Sequence, residues 1–218
     1  MDTGTEREKK LPARAAAALI EEGMTVGLGT GSTARHFLRA LAARDLDLEC
    51  VATSPATEAA AFELGLRVKP FSTGSKLARL DIAVDGADQV ARDGWVVKGG
   101  GGAHTREKIV AAAAERFIVI VSSDKLVDEI EPPIPLELLA FGVEATVARL
   151  GTTRIRDAQS TPDGGLLADW IGSLDDPAKL AALLAATPGV VEHGLFPPDL
   201  VSEVLVGRGD TVERIELS

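Results

Sequence analysis

Several features are scarce in this chain of 218 residues, and each scarcity excludes a class of protein. Cys50 is the only cysteine, so no disulfide can form within the chain, which suits a cytoplasmic location. No apolar run approaches the roughly twenty residues that are needed to cross a bilayer. The N-terminal stretch MDTGTEREKK is polar and does not resemble a signal peptide. The sequence therefore predicts a cytoplasmic protein that makes no contact with a membrane.

Basic residues are outnumbered by acidic ones. With 23 Lys and Arg against 33 Asp and Glu, the net charge is -10 and the isoelectric point is about 4.8. This charge argues against nucleic acid as a partner, although a local cluster of lysine, hydroxyl and amide groups still suits a small phosphate. The histidines His36, His104 and His193 are scattered without the spacing of metal ligands, so we expect no metal site.

The stretch 80–108, LDIAVDGADQVARDGWVVKGGGGAHTREK, carries the strongest chemical signal. Two apolar runs, Leu80 to Val84 and Trp95 to Val97, predict buried strands. Charged residues and glycines follow these strands and open the next helix: Asp85, Asp88, Lys98, Gly99 to Gly102 and Glu107. An aspartate near a strand end most often stabilises a turn, because its side chain bonds nearby backbone amides. Four consecutive glycines, however, cost backbone entropy, and they indicate that a ligand or another group approaches the main chain closely. Because ligands bind at the carboxyl ends of strands in α/β sheets, the combination predicts an active site.

A second glycine-rich turn, Gly29 to Thr33 (GTGST), follows a predicted strand over Thr25 to Leu28 and opens a predicted helix. Backbone amides at the helix start and the hydroxyls of Ser32 and Thr33 suit a phosphate. The glycine spacing also fits the looser form of the dinucleotide-binding motif. However, the next strand, Leu48 to Ala52, ends in TSP and lacks the acid that would bind a ribose hydroxyl. We therefore expect a small-molecule phosphate site.

The order of elements predicts an α/β fold with a Rossmann-like, mostly parallel sheet and helices on both faces. Its strands end in the polar sets GTGST, TSPAT, DGADQ, KGGGG and SSDK, which we expect together at one edge of that sheet. Prolines at 132, 133 and 135 mark the start of a smaller ferredoxin-like α+β domain with the order β-α-β-β-α-β. The predicted domains are 1–130 with 201–218, and 131–200. The pattern also predicts a helix over Leu11 to Glu22, with Pro12 near its start, and strands over Arg67 to Pro70 and Val190 to Leu195.

Six motifs occur together over nearly the whole chain: GTGST at Gly29 to Thr33, VDGAD at Val84 to Asp88, KGGGGA at Lys98 to Ala103, TREK at Thr105 to Lys108, PIP at Pro133 to Pro135 and PGVVEHGLF at Pro188 to Phe196. This combination resembles ribose-5-phosphate isomerase, type A. The resemblance implies interconversion of D-ribose 5-phosphate and D-ribulose 5-phosphate through an enediol or enediolate, in the non-oxidative branch of the pentose phosphate pathway. It also implies a homodimer or homotetramer that needs no cofactor.

The resemblance also implies roles for individual residues. Glu107 matches the general base, and Lys98 matches a group that stabilises negative charge on the substrate oxygens. Asp85 and Asp88 match paired aspartates that open the sugar ring and move protons among its oxygens. The remaining expected substrate contacts are Lys9, Thr30, Gly31, Ser32, Thr33, Gly86, Ala87, Gly99, Gly100, Gly101 and Lys125. His104 and Gln89 depart from the residues expected in the family.

Two other functions stay open. The first is a sugar-phosphate sensor domain that binds its ligand without turnover. The second is an isomerase or hydrolase of another sugar phosphate, including amino sugars. Turnover separates the first from an isomerase, and the identity of the product separates the second.

Overall fold

The structure, a computed structural model, describes residues 4–217, so the predicted domain limits at residues 1 and 218 lie outside it. Within these residues the chain forms six α-helices: α1 (Gly4–Ala18), α2 (Ser32–Ala42), α3 (Pro55–Glu63), α4 (His104–Ala113), α5 (Val143–Leu150) and α6 (Pro177–Ala185). The same residues form fourteen strands: β1 (Thr25–Leu28), β2 (Glu49–Ala52), β3 (Leu80–Asp85), β4 (Gln89–Ala91), β5 (Val96–Val97), β6 (Ala114–Ser122), β7 (Leu126–Val127), β8 (Ile134–Leu138), β9 (Thr153–Ile155), β10 (Leu166–Trp170), β11 (Val190–His193), β12 (Leu195–Phe196), β13 (Glu203–Arg208) and β14 (Thr211–Glu216).

A six-stranded sheet in the order β14-β13-β6-β3-β1-β2 forms the centre of the molecule. All its neighbours pair in parallel except the last hairpin, β13 with β14. Side chains alternate between its two faces, so Ile82 and Val84 pack in one apolar cluster while Ala83 packs in another. A sheet buried on both faces needs near-continuous apolar strands such as β6. The predicted Rossmann-like α/β sheet is confirmed.

A smaller four-stranded sheet has the order β11-β8-β10-β9, and its strand pairs are antiparallel. Helix α5 connects β8 to β9, and α6 connects β10 to β11, which gives the predicted β-α-β-β-α-β sequence. Asp176 caps α6 by accepting hydrogen bonds from two backbone amides of its first turn. The ferredoxin-like α+β part of the fold is confirmed, whereas the limits of the two domains stay a prediction.

A third sheet, in the order β12-β5-β4-β7, was not expected. The prediction that KGGGG follows a strand of the large parallel sheet was wrong, because β5 pairs antiparallel with β4 and β12 in this small sheet. The connection between β4 and β5 is four residues long, and so short a connection permits only antiparallel pairing. Lys98 and the glycine loop, Gly99 to Gly102, therefore reach the edge of the large sheet from a separate layer.

The first helix differs from its predicted limits. It begins at Gly4 instead of Leu11 and ends at Ala18 instead of Glu22, so Pro12 lies inside it. The early turns are held in place by Glu8, whose carboxylate accepts hydrogen bonds from Ser123 and from the Gly209 amide. Tertiary contacts thus extend the helix over residues whose local sequence is only polar.

One predicted strand is reduced to a single bridge, and another is shorter than expected. Residues 67–70 contribute only an isolated bridge between Val68 and Cys50, so the predicted strand there was wrong. The strand predicted over Val190 to Leu195 ends at His193, after which Leu195 pairs with the third sheet. The chain changes sheets at Gly194, where an added Cβ would lie 2.1 Å from the carbonyl oxygen of Lys98.

Candidate active site

A cavity of about 250 Å³ opens between the carboxyl edge of the large sheet, the glycine loop and the start of α1. Fourteen of the fifteen predicted site residues line it: Lys9, Thr30, Gly31, Ser32, Thr33, Gly86, Ala87, Asp88, Lys98, Gly99, Gly100, Gly101, Glu107 and Lys125. The exception is Asp85, which is buried behind the lining and contacts Lys98. The structure therefore gathers the predicted residues around one cavity, and their roles stay predictions.

Three charged side chains meet at the closed end of the cavity. Asp85 ends β3, Lys98 follows β5, and Glu107 lies in the first turn of α4. The Lys98 ammonium lies 2.9 Å from Asp85 Oδ2 and 3.2 Å from Glu107 Oε2. All three residues are at most 5% exposed. Burying one cation between two carboxyl groups avoids an unpaired charge but leaves the cluster with one negative charge in excess when all three ionise.

Backbone groups fix the inner carboxyl group. Asp85 Oδ1 accepts hydrogen bonds from the amides of Thr30 (3.0 Å) and Gly86 (2.7 Å). The main chain comes this close because Gly29 has no side chain, and an added Cβ there would lie 2.0 Å from the same oxygen. Lys98 Nζ also donates to the carbonyl oxygen of Gly86. Asp85 therefore holds Lys98 and is turned away from the cavity.

The electrostatics of this cluster raise the pKa of each member. Burial, assisted by repulsion from Asp85, raises the pKa of Glu107 to about 8. Burial also raises the pKa of Asp85, although Lys98 opposes the shift. For Lys98, burial lowers the pKa, but attraction to the two carboxylates outweighs it and the pKa is raised. The cluster thus keeps Lys98 charged and gives Glu107 a proton affinity suited to proton transfer near neutral pH.

The glycine loop forms the opposite wall of the cavity. The Gly100 amide donates to Asp88 Oδ2 at 2.7 Å, so the loop orients an exposed carboxylate at the cavity mouth. Gly99 adopts a φ of +103°, where L side chains are strained, and an added Cβ would lie 2.6 Å from His104 Nδ1. At Gly99 the close packing leaves no room for a side chain.

The other end of the cavity carries the groups expected to bind phosphate. Helix α2 begins at Ser32, so free amides of its first turn face this end, where anions are favoured. Lys9 and Lys125 add positive charge from α1 and from the segment after β6. The Thr30 hydroxyl forms hydrogen bonds with three neighbouring hydroxyls, those of Thr53, Ser54 and Thr57. These bonds hold the turn between β1 and α2 in place.

Two lining residues, Thr5 and Asp124, were missed by the sequence prediction. Thr5 was missed because α1 was predicted to begin only at Leu11, whereas it begins at Gly4. Asp124 stands in the polar set SSDK that was recognised at a strand end, and its oxygen lies 3.3 Å from Lys125 Nζ. A search of every polar residue at the strand ends would have found Asp124.

The two departures from the expected family pattern lie next to the cavity. The Gln89 side-chain amide forms two hydrogen bonds with the backbone of Glu131, at 2.8 and 2.9 Å, and so connects β4 to a distant loop. His104 is fully buried beneath the glycine loop, where burial and the charge of Lys108 lower its pKa to about 4. His104 is therefore neutral at physiological pH and fills space behind Gly99.

Between residues 4 and 217, no group of three or more His, Cys, Asp or Glu side chains is arranged to hold a metal ion. Over the same part of the chain, no helix is both long enough and apolar enough to span a membrane.

Comparison with known proteins identifies the family. Residues 49–211 match the sequence model of Ribose 5-phosphate isomerase A (phosphoriboisomerase A). The chain is 42% identical to Ribose-5-phosphate isomerase A of Halobacterium salinarum, over 95% of this chain and 94% of that protein. The ribose 5-phosphate isomerase A structure from Neisseria gonorrhoeae has a TM-score of 0.92 at 28% identity, covering 100% of this chain and 99% of that one. A D-ribose-5-phosphate isomerase in complex with phospho-erythronic acid has a TM-score of 0.91 at 32% identity, covering 97% and 99%. This chain therefore belongs to the ribose 5-phosphate isomerase A family and is an isomerase.

Proposed function

We propose that this chain interconverts D-ribose 5-phosphate and D-ribulose 5-phosphate by moving one proton between C2 and C1, with Glu107 as the general base. The observation that carries the proposal is the cluster of Asp85, Lys98 and Glu107 at the closed end of a cavity of about 250 Å³. Membership of the family supports the substrate.

The proton transfer follows from the chemistry of the open-chain sugar. Glu107 takes the proton from C2, the electrons of that C–H bond form a C=C bond, and the aldehyde oxygen on C1 becomes an enediol or enediolate oxygen. The same carboxyl group then returns the proton to C1, while the hydroxyl on C2 gives its proton to the oxygen on C1 and becomes the ketone. A pKa of about 8 lets Glu107 accept and release this proton near neutral pH.

Lys98 would stabilise the negative charge that develops on the two oxygens. Its ammonium is already held by Asp85 and by the Gly86 carbonyl, so it need not reorient when the charge appears. Preorganised groups of this kind supply much of the stabilisation of an oxyanion. We therefore assign Asp85 to holding Lys98 in place.

Asp88 suits the ring-opening step. It lines the cavity mouth, whereas Asp85 is buried and engaged by two amides. A carboxyl group that reaches the substrate can carry a proton between the ring oxygen and the hydroxyl on C1. The different exposure of the two aspartates supports this division of the roles that the sequence left shared.

The phosphate would bind at the start of α2, between Lys9 and Lys125. A relative was solved in complex with phospho-erythronic acid, a phosphorylated sugar acid, which supports a phosphosugar as the ligand of this cavity. Binding energy at the phosphate end can hold the reacting carbons against Glu107. The pathway, the absence of a cofactor, the homodimer or homotetramer and the cytoplasmic location stay predictions.

The test is conversion of D-ribose 5-phosphate by the purified protein in the presence of a chelator, beside two variants. We expect Glu107→Gln to lower kcat by roughly a hundred- to ten-thousand-fold while substrate binding is retained. Glu144→Gln, an exposed residue on α5, is the matched control and should behave like the wild type. Binding without turnover by the wild type would favour a sensor, and a different product would favour another sugar phosphate.

A further inference from the structure

Two carbonyl groups of the glycine loop face the side chain of Arg156, which follows the last residue of β9. Arg156, just after β9, donates from Nη1 to the carbonyl oxygens of Gly99 and Gly100, at 3.1 Å each. The Gly99 oxygen also accepts the Gly102 amide at 3.0 Å, which closes the loop into a turn. One guanidinium nitrogen thus holds two consecutive peptide groups of the cavity wall.

The guanidinium is itself fixed from the other side. Asp169 on β10 accepts from Arg156 Nε at 3.0 Å and from Nη2 at 2.6 Å, a two-point contact that fixes the plane of the group. The side chains of Arg156 and Asp169 are 19% and 9% exposed. The backbone amide of Arg156 donates to Leu167 at 2.8 Å. Such a shielded pair holds one geometry, unlike an exposed ion pair.

Peptide geometry transmits this contact to the cavity. In a planar trans peptide the C=O of one residue and the N–H of the next point in opposite directions. Holding the Gly99 carbonyl toward Arg156 therefore turns the Gly100 amide away from it, and this amide donates to Asp88. Holding the Gly100 carbonyl likewise turns the Gly101 amide away from Arg156, and Gly101 is one of the residues that line the cavity.

We propose that Arg156, held by Asp169, is a positioning residue that directs the Gly100 amide to Asp88 and fixes the loop where Gly101 lines the cavity. This inference rests on the proposed isomerase function, in which Asp88 and the loop amides act on the sugar oxygens. Four consecutive glycines have little conformational preference of their own, so contacts with Arg156 and Asp88 contribute to the order of the loop. Arg156 does not touch the substrate, and its effect on the reaction passes through the loop.

The test compares Arg156→Ala with Arg149→Ala, an exposed arginine on α5 that is the matched control. For Arg156→Ala we expect kcat to fall ten- to a hundred-fold while KM changes less than three-fold, and added guanidinium chloride at millimolar concentration to restore part of kcat. Arg156→Lys should not restore it, because an ammonium cannot bind Asp169 through two nitrogens and both carbonyls together. The control should match the wild type.

A second measurement does not depend on turnover. Amide hydrogen exchange at Gly100 and Gly101 should become at least ten-fold faster in Arg156→Ala and stay unchanged in the control. If Arg156→Ala does not fold because Asp169 is left unpaired, the double variant Arg156→Met with Asp169→Leu replaces the ion pair by apolar groups and serves in its place.

The outcomes separate this inference from the function on which it rests. A wild-type protein without isomerase activity would refute the proposed function, while faster exchange in Arg156→Ala would still support the positioning role. An active wild type whose Arg156→Ala variant keeps its kcat and its amide protection would refute the positioning role alone. A variant that loses only thermal stability, with kcat unchanged, would show that Arg156 is merely structural.

Discussion

The stability of this protein should depend on pH through Glu107. The pKa of this carboxyl group is about 8 in the folded chain and 4.5 in its ordinary state. Between these values the folded chain retains a proton that the unfolded chain has released, so raising the pH favours unfolding. The expected slope is about 1.4 kcal/mol per pH unit, which amounts to about 5 kcal/mol over the whole window.

The variant Glu107→Gln isolates this contribution, because glutamine has nearly the same shape and does not titrate. Urea unfolding of both proteins at several pH values from 5 to 9 gives the difference in unfolding free energy. We expect the wild type to lose stability relative to the variant as pH rises to 8, and the difference to be constant above it. Glu144→Gln should show no such trend. A difference between wild type and Glu107→Gln that is constant from pH 5 to pH 9 would refute the assigned burial and its electrostatic consequence.

Three further results are expected. Lys98→Met leaves Asp85 and Glu107 buried without a cation, so urea unfolding at pH 8 should show a free energy of unfolding lower by about 3–5 kcal/mol. At pH 5 this decrease should be smaller, and equal decreases at the two pH values would contradict the account. Gly99→Ala forces a side chain into a φ of +103° and against His104, so thermal unfolding should show a loss of about 1–3 kcal/mol; an unchanged Tm would argue against that packing. For the wild type, kcat/KM should rise with pH to a plateau with a midpoint near 8, the pKa of Glu107; a midpoint below 6 would exclude that titration.

Local sequence signals were sufficient for much of the fold and the site. The continuous apolar run in β6 and the glycine-rich turn after β1 each have a direct physical cause, namely burial in a parallel sheet and approach of an anion to backbone amides. The same reasoning placed Asp85 and Glu107 close together, because both lie where strands end or helices begin. The fold class was confirmed for these reasons.

Contacts between distant segments could not be predicted. The strands of the third sheet are two or three residues long, and periodicity carries no signal over so few residues. The contact of Arg156 with Gly99 joins residues 57 apart, and neither residue has a local pattern that indicates the other. Likewise, VDGAD contains two aspartates of equal character, and only the packing of Gly29 against Asp85 shows which one is buried.

The central claim is that Glu107 carries the proton between C2 and C1. The most direct measurement is the incorporation of solvent deuterium into the sugar, followed by NMR when D-ribose 5-phosphate is incubated in D₂O with the wild type and with Glu107→Gln. The account predicts deuterium at the reacting carbons with the wild type, because the proton held on the Glu107 carboxyl group exchanges with solvent before it is returned to the sugar. It also predicts loss of both exchange and conversion in a variant that still binds the substrate. Exchange at the wild-type rate in Glu107→Gln would contradict the account and assign the proton transfer to another group.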